Sequence, residues 1–235
     1  MHFLVLVLVL VVASAARAQD VAAPSSPSVA ELASARAAFP ASWFAPLPAS
    51  EKAASWEITP DKAGPGEVIL SKRTELGCFS NFAATPFELD GKRYASIEGL
   101  WQSLYYPEGD DDPRAKLEGW KHKRADVEQM TAFTAKRAGD DAKKILEKAG
   151  TVWMSYRGHR FEPRGSEEDR KYHLDLIARA TRAKIDQNPA ARDLLVKTGD
   201  LVLRPDHHPS KDATPAHYYF EILMKIRADL RTKLR

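Results

Sequence analysis

Glu98 and Gln102 stand four residues apart, and Tyr105 follows one turn later. On a helix these positions share a face, while Leu100 and Trp101 turn the other way. Ser96 supplies an N-cap just upstream, so Glu98 falls in a first turn, where the helix N-terminus stabilises its anion. A carboxylate held there can stabilise developing positive charge or take a proton from water. The same residue also reads as a plain dipole partner. Ahead of it stands Gly77-Cys-Phe-Ser-Asn-Phe82. The rings of Phe79 and Phe82 can stack on a base, and Ser80 and Asn81 can hydrogen-bond a sugar or an amide edge. The alternative is a structural turn, with Asn81 bonded to its own backbone and both phenylalanines in the core.

Two other groups of reactive residues carry less. His207-His208 with Asp206, Asp212 and His217 lacks the regular spacing of a metal site, so a polar loop is expected and no metal. Cys78 is the sole cysteine. It excludes an intramolecular disulfide and reads as packing beside an aromatic run rather than as a nucleophile. No cofactor motif is present.

The elements around Glu98 follow from turn and capping signals. Glu67–Ser71 reads as a short strand. Pro86–Tyr94 reads as a hairpin, since Asp90-Gly91 favours a type I′ turn and Phe87, Leu89 and Tyr94 flank it. Ser96 then opens a helix with Ile97, Leu100, Trp101 and Leu104 at helical spacing, stopping before Pro107. Further helices are expected at 125–138, 140–149, 167–187 and 189–197, with Pro189 at a first helical position. A strand at Leu201–Arg204 precedes a last helix after Thr214-Pro215. The fold class is α+β, helix-dominated around a small β-sheet.

The ends bound the rest. Phe3–Val12 is apolar and ten residues long, half of what spans a bilayer. With Ala16-Arg-Ala18 behind it, residues 1–18 read as a cleavable signal peptide, with an uncleaved anchor as the alternative. The protein is then exported, periplasmic or secreted, with no membrane contact after cleavage, and secreted material begins at Gln19. Residues 19–66 are rich in Ala, Pro and Ser. They read as a tether with a short helix capped at Ser28, from which Trp43, Phe44 and Trp56 could pack as an arm; the domain proper is 67–235. A net charge of +3 gives no strong nucleic-acid signal. The basic C-terminal run Lys225, Arg227, Arg231, Lys233 and Arg235 reads as the solvated face of the last helix.

Taken together, Gly77-x-Phe-Ser-Asn-Phe-Ala83, Pro86-Phe-x-Leu-Asp-Gly-Lys92, Ser96-x-Glu98 and Gln102 resemble, in order and spacing, the NADAR or YbiA-like family. Ala135-Lys-Arg-Ala-Gly139, Arg182-Ala-Lys184 with Gln187, Thr198-Gly-Asp200 and Leu223-Met224-x-x-Arg227 extend the resemblance over residues 68–232. It implies an N-glycosidase that cleaves between ribose C1 and a nitrogen in a small, nucleotide-like substrate of the ADP-ribosyl or phosphoribosyl class. Glu98 stands at the family's catalytic glutamate. Phe79, Ser80, Asn81, Phe82, Gln102 and Lys184 are the substrate-binding candidates. The second half of the pocket departs. Pro205 stands where the family has a glutamate, Trp-Gly is missing, and His217 falls near an expected asparagine. A tryptophan early in the long helix is absent, with Tyr172 close by. Asp206 and Asp212 are both candidates for a displaced aspartate. Residues 150–166 have no counterpart in the family. The alternative function is an exported nucleotide-binding module or effector without turnover.

Overall fold

The computed structural model describes residues 36–233; the apolar run, its cleavage site and the Ser28 cap lie outside them. Six helices carry the described fold: α1 (Ile97–Ser103), α2 (Arg124–Glu128), α3 (Ala132–Lys148), α4 (Glu167–Gln187), α5 (Pro189–Lys197) and α6 (Tyr219–Lys233). The strands are β1 (Glu67–Ile69), β2 (Phe87–Leu89), β3 (Lys92–Tyr94), β4 (Met154–Tyr156), β5 (His159–Phe161) and β6 (Val202–Arg204). The α+β, helix-rich class expected from the sequence is the one observed. The strands do not form one sheet. They pair as three separate ladders, β1 parallel to β6, β2 antiparallel to β3, and β4 antiparallel to β5. Each strand is three residues long, so helices cover what a wider sheet would have covered.

Local chemistry accounts for the elements around α1. Asp90 and Gly91 both take positive φ, 52° and 77°, the backbone that a two-residue type I′ turn demands and that glycine adopts without strain. The turn sets Phe87 opposite Tyr94, and both rings bury in the core. Ser96 then caps α1: its Oγ accepts from Gly99 N at 2.9 Å and donates to the Met130 carbonyl at 2.9 Å. One hydroxyl thereby closes the helix start and docks it on the α2–α3 connection. All seven residues of α1 are buried, because α2, α3 and α4 pack around it.

Two helices differ from expectation. The stretch read as 125–138 and 140–149 is a short α2 followed by an unbroken α3. Gly139 sits inside α3, where a small residue lets Gln102 of α1 approach. The unplaced stretch 150–166 contains the β4–β5 hairpin, with Met154, Tyr156 and Phe161 in the core.

Of the segment expected as a tether with an aromatic arm, Trp43 and residues 57–61 pack on the domain, while 48–56 are exposed. Trp43 is fully buried, and its indole N–H donates to Glu75 Oε1 at 2.7 Å. Arg36 donates to the Ala63 carbonyl, and Ile58 N donates to the Asp206 carbonyl at 2.7 Å. The C-terminal basic face is also not uniform. Arg227 is buried and donates to Thr198 Oγ1 at 2.7 Å, tying α6 to the end of α5. No helix among the described residues is long and apolar enough to cross a membrane.

Candidate functional site

The loop Ser80-Asn81-Phe82 is held by three consecutive carbonyls, each accepting from a different element. Ser80 O accepts from Lys184 Nζ of α4 at 2.9 Å, Asn81 O from the Glu98 amide of α1 at 2.9 Å, and Phe82 O from the Ala132 amide of α3 at 3.1 Å. Ala132 itself takes φ of 49°, a backbone that costs a non-glycine residue of order 1 kcal/mol and occurs where surrounding contacts enforce it. Ser80 Oγ also accepts from Phe82 N at 3.2 Å. The loop is therefore a rigid support, and its side chains face a cleft of about 930 Å³.

Glu98, Gln102, Ser80, Asn81 and Phe82 all line this cleft. Two of the sequence candidates do not. Phe79 is buried in the core, since its 3-10 turn aims the ring inward. Lys184 is fully enclosed behind the loop, where burial holds its pKa down to about 8. It positions the Ser80 backbone rather than reaching the cleft.

Glu98 is only 6% exposed, and its Oε1 accepts from Gln102 Nε2 at 2.7 Å. Burial pushes the Glu98 pKa up, opposed by the Gln102 bond and by the charges of Lys136 and Lys143. Both lysines line the cleft from α3. They stand seven residues apart, two turns on one helix face, and both reach Asp140, at 2.5 Å and 3.7 Å. Burial in turn lowers the pKa of Lys143. The carboxylate and the lysines are thus coupled across one wall.

Trp101, expected to face away, also lines the cleft. Its ring meets two imidazoles, 4.6 Å from His173 and 4.8 Å from His217. His217 is fixed through Nδ1, which accepts from the Thr214 amide at 3.0 Å. Neither candidate for the displaced aspartate lines the cleft. Asp206 is buried against Lys72 Nζ at 2.6 Å and His207 Nδ1 at 2.9 Å. Burial works against its charge, but these partners outweigh it and hold the carboxyl below the ordinary range. Asp212 is exposed beside Arg164. Glu147 and Glu162 line the cleft with Glu98, and both are exposed.

Several lining residues escaped the sequence reading. Lys136 and Lys143 would have shown as a pair had α3 been read as continuous. Arg164, Glu162 and Pro163 come from the segment after β5, for which no pattern existed. His173, beside Tyr172, carries no local sequence signal of its own. The rim is apolar: Trp56, Phe133 and Val152 are each at least half exposed and line the cleft. Phe133 meets Phe82 edge-on at 5.2 Å.

No family model matches the sequence, and no curated protein matches it. Among solved structures, the chain is similar to the NMR structure of the E. coli protein YbiA. The identity is 21%, over 70% of this chain and 86% of that chain, with a TM-score of 0.44.

Proposed function

We propose that this cleft hydrolyses an N-ribosyl bond in a nucleotide-like substrate of the ADP-ribosyl or phosphoribosyl class. One observation carries the reading: Glu98 is a buried carboxylate in the first turn of α1, opening on a cleft that also presents stacking surfaces and cations. Phe82 and Phe133 offer aromatic faces to a base. Lys136, Lys143 and Arg164 offer charge to phosphate oxygens. Asn81 and Ser80, which line the cleft, offer hydrogen-bonding groups to ribose hydroxyls.

The chemistry follows from charge. As the C1–N bond breaks, its electron pair leaves with the nitrogen and the ribosyl ring becomes cationic. The Glu98 carboxylate stabilises that cation, and the raised pKa makes it a better proton acceptor. Water adds to C1, its proton passes to Glu98, and the leaving nitrogen is protonated in turn. Gln102 holds the carboxylate in one orientation throughout.

The test is base release, followed by mass, from ADP-ribosylated nucleotides, NAD and ribosyl aminopyrimidines. Glu98→Gln keeps the shape and removes the charge. Turnover is expected to fall by about 10²–10³, with substrate affinity much less changed. Base release at the unaltered rate would refute the role of Glu98.

A second reading is a nucleotide-binding module without turnover. The same burial that raises the Glu98 pKa favours its neutral form, which stabilises no cation. Under that reading neither protein releases base and both bind ADP-ribose equally.

A further inference from the structure

Among the described residues, four buried side-chain atoms have no hydrogen-bond partner in the protein: Gln102 Oε1, both ring nitrogens of His173 and the Tyr219 hydroxyl. All three residues line the same cleft. A buried polar atom without a partner is costly, about 1–3 kcal/mol each, and is found where something else supplies the partner. Gln102 is held by the bond its Nε2 donates to Glu98, which turns the bare Oε1 away from the carboxylate toward Gly139. His173 and Tyr219 have no side-chain hydrogen bond at all among the described residues.

His173 lies at 0% exposure, edge-on to Trp101 and 5.5 Å from Phe161. An N–H over an indole face would occupy one nitrogen and leave the other. We propose that His173 and Tyr219 recognise an uncharged amide edge, one N–H beside one C=O, on the heterocycle carried by the ribose. This rests on the N-ribosyl reading of the cleft.

The chemistry of the pair selects that edge. Burial holds the His173 pKa down to about 3, with His217 adding to it. Burial likewise pushes Tyr219 well above the ordinary phenol range. Both side chains are therefore neutral: with the His173 N–H over the indole its other nitrogen accepts, and the Tyr219 hydroxyl donates. Two neutral groups of that kind match a ligand edge carrying one of each. They are poor partners for phosphate, which calls for charged donors, and Lys136, Lys143 and Arg164 already provide those. A site built on buried hydrogen bonds also rejects ligands that lack the matching groups.

The test uses the full chain carrying Glu98→Gln, so that turnover does not intervene, titrated calorimetrically with GMP, UMP and ribose 5-phosphate. At least one nucleotide should bind more tightly than ribose 5-phosphate. Adding Tyr219→Phe or His173→Phe should weaken that nucleotide by about five- to tenfold, leaving ribose 5-phosphate within about twofold. Phenylalanine removes unpartnered atoms and keeps a ring, so melting temperatures should hold or rise. Should His173→Phe fail to fold, Tyr219→Phe alone decides. The proposal is overturned if neither nucleotide exceeds ribose 5-phosphate, if the variants leave nucleotide affinity unchanged, or if they weaken ribose 5-phosphate equally. Base release by the unaltered protein is measured separately. Its absence would overturn the hydrolytic reading while a heterocycle-specific loss of affinity still stood.

Discussion

At the scale of single residues, burial governs the two ionisable groups that matter most. Glu98 is displaced upward because its carboxylate has left water, and only Gln102 and two lysines offset the loss. A folded carboxyl with a raised pKa binds its proton more tightly than the unfolded chain does. Its contribution is therefore fully present at low pH and is lost as pH rises through the folded pKa. Glu98→Gln keeps an acceptor for Gln102 without the charge. Its melting temperature should exceed that of the unaltered protein at about pH 7, and the gap should close toward about pH 4. A gap independent of pH would mean that Glu98 is not desolvated. Lys184 shows the opposite displacement, down to about 8 against about 10.4 for a free lysine. Between those values the unfolded chain holds more protons, so stability rises with pH and is lost as pH falls through about 8. Comparing melts with Lys184→Met isolates this contribution. The difference should move in favour of the unaltered protein from about pH 7.5 to about pH 9.5, and a flat difference would mean that the ammonium reaches solvent.

At the scale of elements, two glycines allow α1 to sit where it does, for different reasons. A Cβ on Gly99 would lie 2.5 Å from the Met130 carbonyl oxygen and 3.0 Å from that of Val127. Backbone cannot swing aside, so Gly99→Ala should destabilise by about 1–3 kcal/mol in denaturant unfolding. A Cβ on Gly139 would instead overlap the buried Gln102 side chain from Oε1 to Cγ. Gly139→Ala should therefore expel that side chain and destabilise by about 1–3 kcal/mol, offset in part by the roughly 1 kcal/mol by which alanine favours the helix. The displaced Gln102 releases Glu98, so base release should fall. Loss of stability with undiminished base release would show that the Gln102–Glu98 bond does no catalytic positioning. The sequence signals were strongest at this scale where a side chain serves its own backbone. The Ser96 cap, the Asp90-Gly91 turn and the bounds of α4 and α5 are all local. The split of α3 failed because nothing local marks Gly139 as a seat for a distant side chain.

At the scale of the molecule, Trp43 and residues 57–61 belong to the domain's packing although they precede β1. Trp43 is enclosed by the core and bonded to Glu75, so Trp43→Ala should cost about 3–5 kcal/mol in chemical unfolding. A cost under about 1 kcal/mol would show that the segment detaches. This follows from the same physics that limited the sequence reading. Hydrophobic periodicity, capping residues and turn pairs act within a few residues, and they determined the α+β class, most helices, the hairpin and the first-turn position of Glu98. The facing of Glu98 and Gln102 followed from helix geometry alone. Which other groups join them depends on contacts between distant parts of the chain. Lys184 and Ser80 meet across 104 positions. His173 reaches the cleft from α4, His217 from the Pro215–His217 turn packed on α4, and Tyr219 from the start of α6. Such juxtapositions arise from packing of whole elements, which leaves no pattern in any one stretch of sequence. Only the tertiary structure decided that Phe79 serves the core, that Lys184 supports the loop from behind, and that two neutral polar side chains line the cleft unpartnered.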